Sequence, residues 1–266
     1  MHTVIIIPAR YASTRYPGKP MALLKGATGL EKTLLRRSIE AARGVRTADA
    51  VYVATDDERI AEEAARHGCP VIMTSEHCRN GTERVAEAVE NQGLAADLVI
   101  NLQGDAPLTP PRFVEALIAA MHADTGIAVA TPALRCDREA LEAFKSDRRH
   151  GRVGATTMVF GSSGDALYFS KEIVPYADAI DLAAAELPVF HHVGLYGYRR
   201  AALAAYITLP PGRLEQIEGL EQLRFLENGM PIRAVEVAAA GARFWELNNP
   251  TDIPLIERYL AAMGWE

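Results

Sequence analysis

A loop rich in cations directly follows the first apolar segment of the chain. The run Val4–Ile7 is typical of a buried strand, and residues 8–20 read Pro-Ala-Arg-Tyr-Ala-Ser-Thr-Arg-Tyr-Pro-Gly-Lys-Pro. Its cations are Arg10, Arg15 and Lys19. Arginine binds phosphate oxygens two at a time, and lysine acts as a point charge. Because ligands of open α/β sheets bind beyond the carboxyl ends of strands, the spacing predicts a site for a nucleoside triphosphate.

The alternative interpretation of this loop is a solvated basic turn. Its position directly after a buried strand favours the phosphate site. Gly18 is the one glycine between residues 8 and 20, whereas a Walker A loop or a dinucleotide fingerprint needs several. We therefore expect neither a kinase-type P-loop nor a standard NAD site.

Asp105 is the candidate metal ligand. It follows the apolar run 98–102 and Gly104, so it falls on the edge of the sheet where the basic loop emerges. A carboxylate there suits Mg²⁺, which prefers one or two carboxylates together with substrate phosphates and waters. The alternative is an N-cap for the segment that starts near Pro110, but the gap to that segment favours the metal.

The segment Gly81–Arg84 opens a predicted helix. The free N–H groups of a helix N-terminus can bind a base edge or an anion. A plain capping turn, with Arg84 paired to a nearby acid, explains the pattern equally well. Both interpretations remain open on the residues alone.

Other polar residues carry weaker signals. His191 and His192 precede a strand candidate in which neighbours face opposite sides, so they cannot form a metal pair together. We expect one of them to line a cleft and the other to lie at the surface. Glu221 and Gln222 fall early in a predicted amphipathic helix and are expected in solvent.

No Gly-x-Ser-x-Gly or His-Glu-x-x-His motif occurs. The candidate residues that remain, a cationic loop and one metal-binding carboxylate, fit nucleotidyl transfer by positioning and charge stabilisation.

Composition limits the class of protein. The chain has 266 residues, 49% of them hydrophobic and 23% charged, which is ordinary for a globular protein with a sizeable core. A formal net charge of -6 argues against nucleic acid as a partner. Cys69, Cys78 and Cys136 lack metal-ligand spacing, so we expect reduced thiols. With no signal-peptide pattern and no membrane-length apolar run, we predict a cytoplasmic location and no membrane partner.

Strand-like and helix-like segments alternate through the first half of the chain. The predicted strands cover 4–7, 50–54, 70–73, 98–102, 156–160, 166–170, 193–199 and 232–237, and the predicted helices cover 30–42, 58–66, 82–89, 214–227 and 252–262. This alternation implies an α/β fold with a mostly parallel sheet flanked by helices. The rhythm changes after Thr131. We predict one domain over 1–266, with residues 137–200 as a smaller β-containing excursion that caps the site or forms an interface.

The chain resembles the 3-deoxy-manno-octulosonate (Kdo) cytidylyltransferase family. The matching segments occur in order over nearly the whole chain: 7–20, Val-Ala-Thr-Asp at 53–56, Gly-Thr-Glu-Arg at 81–84, Asn-Leu-Gln-Gly-Asp at 101–105, Ala-Leu-Tyr-Phe-Ser at 166–170, His-Val-Gly-Leu-Tyr-Gly-Tyr at 192–198 and Leu-Glu-Gln-Leu-Arg at 220–224. The resemblance implies a nucleotidyltransferase-type, Rossmann-like fold and a homodimer formed through the middle region. It also implies conversion of CTP and Kdo to CMP-Kdo and pyrophosphate with Mg²⁺, for lipopolysaccharide or capsule synthesis.

The resemblance also implies roles for particular residues. The catalytic residues would be Arg10, Lys19 and Asp105. The nucleotide would contact Ala9, Arg10, Ser13, Arg15, Lys19, Gly81, Thr82 and Arg84. The sugar would contact Gln103, Lys171, His192, Tyr196, Glu221 and Gln222. The metal would bind Asp105 and Asn248.

Three positions depart from the family pattern. Ala106, Lys171 and Asn248 stand where the family usually carries Glu, Arg and Asp. An amide oxygen at Asn248 removes one negative charge from the metal site, and Glu246 and Asp252 are the candidates to replace it. These departures leave two alternatives to a Kdo enzyme: a transferase of the same fold for a sialic-acid-like sugar, and a nucleotide-binding homologue with reduced catalysis.

Overall fold

The computed structural model describes residues 1–13, 16–151, 155–176, 178, 180, 184 and 186–266. Its strands are β1 (Thr3–Ala9), β2 (Leu23–Lys25), β3 (Glu31–Thr33), β4 (Ala50–Thr55), β5 (Val71–Met73), β6 (Leu98–Leu102), β7 (Val129–Arg135), β8 (Thr157–Phe160), β9 (Ala166–Ser170), β10 (Phe190–His192), β11 (Leu195–Arg199) and β12 (Arg233–Val237). Its α-helices are α1 (Leu34–Arg43), α2 (Glu58–Arg66), α3 (Gly81–Asn91), α4 (Pro111–Ala123), α5 (Arg138–Arg149), α6 (Arg200–Tyr206), α7 (Arg213–Glu218), α8 (Leu223–Glu227) and α9 (Ile253–Met263).

Ten of these strands form one mixed sheet. The strands β5, β4, β1 and β6 are neighbours in that order and run parallel. Beyond β6, β11 pairs antiparallel with both β6 and β7, and β10 pairs antiparallel with β7 and β8. The antiparallel pair of β8 and β9 extends this end, and β12 runs parallel to β7. The predicted α/β class is confirmed.

Strand β1 lies at the centre of the sheet and divides its side chains between two cores. Ile5 and Ile7 belong to the core shared with α1, α2 and α4, whereas Val4 and Ile6 belong to the core shared with α3 and α6. This split follows from the alternation of side chains along a strand. All four side chains are fully buried, and each contributes about 1.5–3 kcal/mol to folding. The strand therefore holds the start of the basic loop in a fixed position.

Two predicted helices differ from the observed ones. The helix predicted over 30–42 begins only at Leu34, because Glu31–Thr33 forms β3 and the Thr33 hydroxyl caps α1 by accepting from the Arg36 N–H at 3.1 Å. The continuous helix predicted over 214–227 is wrong. It breaks into α7 and α8 at Gly219, whose φ of 62° is the left-handed conformation that glycine adopts without strain.

The C-terminal segment returns to the edge of the sheet where β6 ends. Leu247 donates its backbone N–H to the Asp105 carbonyl oxygen at 2.8 Å. Leu247 also packs with α9, Leu24 and Leu108 in a small separate core. This packing fixes residues 246–248 beside the loop that follows β6. No helix within the described ranges is long and apolar enough to cross a membrane.

Candidate active site

Three segments converge at the carboxyl ends of β1 and β6. Ala9 ends β1, Gly104 follows β6, and Gly81 begins α3. A Cβ atom on Gly104 would lie 3.2 Å from the Pro8 carbonyl oxygen, and one on Gly81 would lie 3.5 Å from the Pro8 ring. The missing side chains let these backbones approach β1 closely. The three segments therefore meet at the sheet edge that the sequence predicted, and the space between them is the candidate cleft.

Lys19 and Asp105 form an ion pair in this cleft. Gly18 has φ of 71° and donates its N–H to the Tyr11 carbonyl oxygen, which folds the basic loop back towards the sheet. Lys19 Nζ then reaches Asp105 Oδ2 at 2.9 Å, with the two side chains 17% and 24% exposed. The other carboxylate oxygen, Asp105 Oδ1, is buried without a hydrogen-bond partner. Asp105 therefore keeps one oxygen for a further cation or donor.

Glu221 connects the start of α3 with the end of β6. Its carboxylate accepts from the Thr82 backbone N–H at 2.9 Å and from Gln103 Nε2 at 2.7 Å. Burial raises the pKa of Glu221, and the Thr82 hydrogen bond partly offsets that rise. The expectation that Glu221 and Gln222 are solvated is wrong, because the turn after Gly219 directs both inward and leaves Gln222 only 3% exposed. Glu221 therefore orients two predicted site residues.

The two histidines contact different aromatic side chains. The His191 ring lies edge-on to Phe144 at 5.0 Å, whereas the His192 ring lies edge-on to Phe169 at 5.1 Å and beside Tyr196 at 5.4 Å. Their opposite orientations are confirmed. The expected surface position of one histidine is wrong, because aromatic side chains pack on both rings and bury them. Phe244 adds a second edge contact to His191 at 5.0 Å. Burial lowers the pKa of His192 to about 3, so its imidazole is neutral.

The basic residues of the site differ in their contacts. Arg84 is buried and binds Asp56 at 3.0 Å and the Thr74 hydroxyl at 2.6 Å, as the capping interpretation of its segment describes. Lys171 lies beside the turn between α7 and α8. Its backbone N–H donates to the Glu218 carboxylate at 2.9 Å. Its Nζ is 3.0 Å from the Cβ position of Gly219.

The basic loop contains the other predicted nucleotide contacts. Arg10 is exposed at the end of β1. Ser13 Oγ accepts from the Tyr16 N–H at 3.4 Å, and Arg15 lies outside the described residues. The catalytic, nucleotide, sugar and metal roles of these residues and of the other site residues remain predictions.

Asn248 directly follows Leu247, the residue that is hydrogen-bonded to Asp105. The Leu247 N–H donates to the Asp105 carbonyl oxygen, and the Asn248 amide Nδ2 donates to Glu246 Oε2 at 3.4 Å. The Asp252 carboxylate accepts from the backbone N–H groups of Asn248 and Asn249 at 2.9 and 2.7 Å. In the described part of the chain, no three His, Cys, Asp or Glu side chains form a metal-binding group. A metal here would depend on one or two carboxylates and on substrate oxygens.

Sequence reasoning missed several residues that organise the cleft. The Tyr198 hydroxyl lies 2.8 Å from the Thr82 hydroxyl. Asn80 caps α3 by accepting from the Glu83 N–H at 2.9 Å. The asparagine three residues before a glutamate is a helix-start signal that could have located this cap. Nothing in the sequence indicated the buried contact of Arg224 with Glu83 at 3.0 Å.

A cationic loop, a carboxylate and a helix N-terminus meet at the carboxyl edge of an α/β sheet, which is the arrangement of a nucleotide-binding enzyme. The sequence profile described as Cytidylyltransferase matches residues 4–232. The chain belongs to the cytidylyltransferase family.

Relatives match over the whole length of the chain. A 3-deoxy-manno-octulosonate cytidylyltransferase of Maricaulis maris (strain MCS10) is 42% identical over 264 residues, covering 99% of both chains. An 8-amino-3,8-dideoxy-manno-octulosonate cytidylyltransferase of Shewanella pealeana (strain ATCC 700345 / ANG-SQ1) is 38% identical over 98% of this chain and 99% of its own. The solved structure of a CMP:2-keto-3-deoxy-manno-octonic acid synthetase complexed with CTP superposes with a TM-score of 0.81 and 34% identity, covering 99% of this chain and 100% of the other.

Proposed function

We propose that this cytidylyltransferase joins CTP to Kdo and releases CMP-Kdo and pyrophosphate. The observation that carries the proposal is the meeting of Lys19, Asp105 and the Gly81 helix start in one cleft at the carboxyl edge of the sheet. The full-length similarity to relatives named for Kdo supports the sugar, and the similarity to a CTP-bound structure supports the nucleotide.

The basic loop would bind the triphosphate. Arg10 and Lys19 lie on the loop that leaves β1, and Arg15 is on the same loop in sequence. Their positive charge would offset the negative charge that develops on pyrophosphate as it leaves. Gly81 and Thr82 would contribute the nucleotide pocket at the α3 N-terminus. Positioning and charge stabilisation would then provide most of the rate enhancement.

The residues around Asp105 fit Mg²⁺. Asp105 Oδ1 is buried with no hydrogen-bond partner. Asn248 follows Leu247, whose backbone N–H donates to the Asp105 carbonyl oxygen. A carboxylate and an amide oxygen are hard ligands of the kind that Mg²⁺ binds beside substrate phosphates. The residues that would hold the ion are Asp105 and Asn248. When bound, the ion would polarise the α-phosphate of CTP and neutralise part of its charge.

The sugar would occupy the opposite side of the cleft. Gln103 and Glu221 are hydrogen-bonded to each other at 2.7 Å, so their polar groups are oriented before substrate binds. Tyr196 and neutral His192 lie side by side on the neighbouring strand segments. Gln222 Nε2 is buried with no hydrogen-bond partner and would donate to a sugar oxygen. This set supplies both donors and acceptors for a polyhydroxylated acid.

A second acceptor sugar deserves the same test. The Shewanella pealeana relative is named for an 8-amino-3,8-dideoxy sugar, and its identity to this chain is nearly that of the Maricaulis maris relative. The site has carboxylates, Glu221 and Asp105, that would accept from an amino group. The 8-amino sugar and a sialic-acid-like sugar therefore belong in the acceptor panel.

The test is release of pyrophosphate by the purified protein with CTP, Mg²⁺ and each acceptor sugar. We expect the highest kcat/KM with CTP and Kdo, and no release with ATP, GTP or UTP. Preference for a nine-carbon acid or for the 8-amino sugar would overturn Kdo as substrate while retaining cytidylyl transfer. CTP binding without release for any sugar would instead support a homologue with reduced catalysis.

We further propose that the enzyme is a cytoplasmic homodimer whose product is used for lipopolysaccharide or capsule. The exposed apolar side chains of Leu167 and Tyr176, 67% and 73% exposed, support an interface through the middle region, residues 137–200. The unpaired cysteines support a reducing compartment. Light scattering after size exclusion should give twice the 28.9 kDa chain mass; a monomer mass would contradict the dimer.

A further inference from the structure

Tyr11 organises the basic loop, residues 8–20, from within. Its carbonyl oxygen accepts from the Gly18 N–H at 2.9 Å, and its ring lies against Gly18, where a Cβ atom would come within 3.0 Å of Tyr11 Cζ. Gly18 has φ of 71° and leaves this space free because it has no side chain. The next residue is Lys19, whose Nζ lies 2.9 Å from Asp105 Oδ2. The position of the Tyr11 ring therefore determines how the loop brings Lys19 to the cleft.

Arg59 contacts the same ring from outside the loop. It lies in the first turn of α2, and its Cζ atom is 3.3 Å from the centroid of the Tyr11 ring. A guanidinium at this distance stacks on the ring and is attracted to its face. Helix α2 is itself held in the core by Ile60 and Ala64, both fully buried. The stack therefore joins a fixed helix to the loop that follows β1.

Asp57 holds the Arg59 guanidinium in place. Arg59 Nε and Nη2 donate to the two carboxylate oxygens of Asp57 at 2.9 and 2.7 Å. The same carboxylate caps α2 by accepting from the Arg59 backbone N–H at 3.0 Å. The side chain is 59% exposed, but this paired contact restricts its rotamer. Arg59 thus offers the loop a cation that is already oriented.

We propose that Arg59 is a positioning residue for CTP: by stacking on Tyr11 it holds the basic loop in the conformation that binds the triphosphate. This inference rests on the proposed function. A loop that is already ordered loses less conformational entropy when the nucleotide binds, so the stack strengthens CTP binding through the loop. The gain is the same in the substrate complex and in the transition state. Loss of the stack should therefore raise KM for CTP and leave kcat unchanged.

The test measures CTP binding without turnover. The probe is CTP with Mg²⁺, titrated by calorimetry into the purified protein with no acceptor sugar. An exposed stack of this kind predicts about two- to fivefold weaker CTP binding in Arg59→Met. The cap of α2 is retained in this variant, because Asp57 accepts from a backbone N–H.

Arg66→Met is the matched control. Arg66 lies in the last turn of the same helix, is 64% exposed and pairs with Glu63 of that helix at 2.8 Å. Its replacement removes one exposed, paired arginine of α2 but leaves the stack on Tyr11 intact. The CTP affinity of Arg66→Met should equal that of the parent protein.

A double-mutant cycle separates the stack from the charge of Arg59. If only the positive charge mattered, Arg59→Met would weaken CTP binding by the same factor with and without the aromatic ring. In a Tyr11→Leu background we instead expect Arg59→Met to have no further effect. Arg59→Lys keeps a cation for the ring but lacks the paired hydrogen bonds to Asp57, so it should recover part of the affinity. Unchanged CTP affinity in Arg59→Met, an equal effect in both backgrounds, or a fall in kcat at unchanged KM would overturn the inference.

The outcome is separable from that of the proposed function. CTP binding by the parent protein without pyrophosphate release for any sugar would reject the proposed reaction, and the CTP affinity of Arg59→Met would still decide the inference. Pyrophosphate release by Arg59→Met with the KM of the parent protein would leave cytidylyl transfer standing and remove Arg59 from CTP binding.

Discussion

Replacing Arg224 with methionine is expected to destabilise the protein by about 3–5 kcal/mol. Arg224 is 1% exposed and lies on α8. Its Nε and Nη2 atoms donate to the two carboxylate oxygens of Glu215 at 2.8 and 2.6 Å, and its Nη1 atom donates to Glu83 at 3.0 Å. One guanidinium therefore ties α3, α7 and α8 together beneath the cleft.

The magnitude follows from the burial of all three partners. The Glu83 and Glu215 side chains are only about a tenth exposed, so removing the cation leaves carboxylates that water cannot fully solvate. The guanidinium also stacks on the Tyr206 ring at 4.2 Å, and methionine would retain only the apolar part of that contact. For a chain of this size, 3–5 kcal/mol corresponds to a fall in Tm of about 6–20 °C.

The assay is unfolding in urea and by heat, followed by circular dichroism. Arg79→Met is the matched control, since Arg79 also pairs with Glu83 at 2.6 Å but is 57% exposed. Solvent screens that pair, so its loss should cost no more than about 1 kcal/mol. Equal destabilisation by the two substitutions, or a loss below 1 kcal/mol for Arg224→Met, would refute the argument from burial.

Three predictions concern Lys19 and Asp105 in the cleft. Lys19→Ala should lower kcat by at least about 100-fold without changing Tm by more than a few degrees, because the lysine is on a loop; near-normal turnover would reject its phosphate role. The same variant should bind Mn²⁺ more tightly without nucleotide, since Asp105 loses its 2.9 Å partner, and a titration with Lys19→Arg as control checks this. Asp105→Asn should lose activity together with its Mg²⁺ dependence, and retained Mg²⁺-stimulated pyrophosphate release would place the metal elsewhere.

The sequence located the cleft because local signals and topology agree there. The apolar runs at β1 and β6 predicted buried strands, and their carboxyl ends predicted that the basic loop and Asp105 share one sheet edge. The structure pairs the two strands and brings Lys19 to Asp105 at that edge. Parallel strands place their carboxyl ends at the same edge of a sheet, so residues 86 positions apart became neighbours by a general rule.

The burial of Glu221 and His191 could not be predicted from local sequence patterns. Helical spacing continues across Gly219, so the amphipathic pattern alone did not show the break that turns Glu221 inward. One of the two adjacent histidines was expected at the surface because the sequence does not show that Phe144 and Phe244 pack on the His191 ring. In both cases the decisive contact comes from a distant segment.

The sequence by itself determined the α/β class, the basic loop, the strand that ends before Asp105 and the family resemblance, since each depends on composition or on spacing within a short segment. Only the tertiary structure decided which acidic residues the buried arginines pair with. Arg84 pairs with Asp56, and Arg224 pairs with Glu83 and Glu215. The physical reason is that a buried charge requires a partner, and the partner is chosen by packing between segments far apart in the chain.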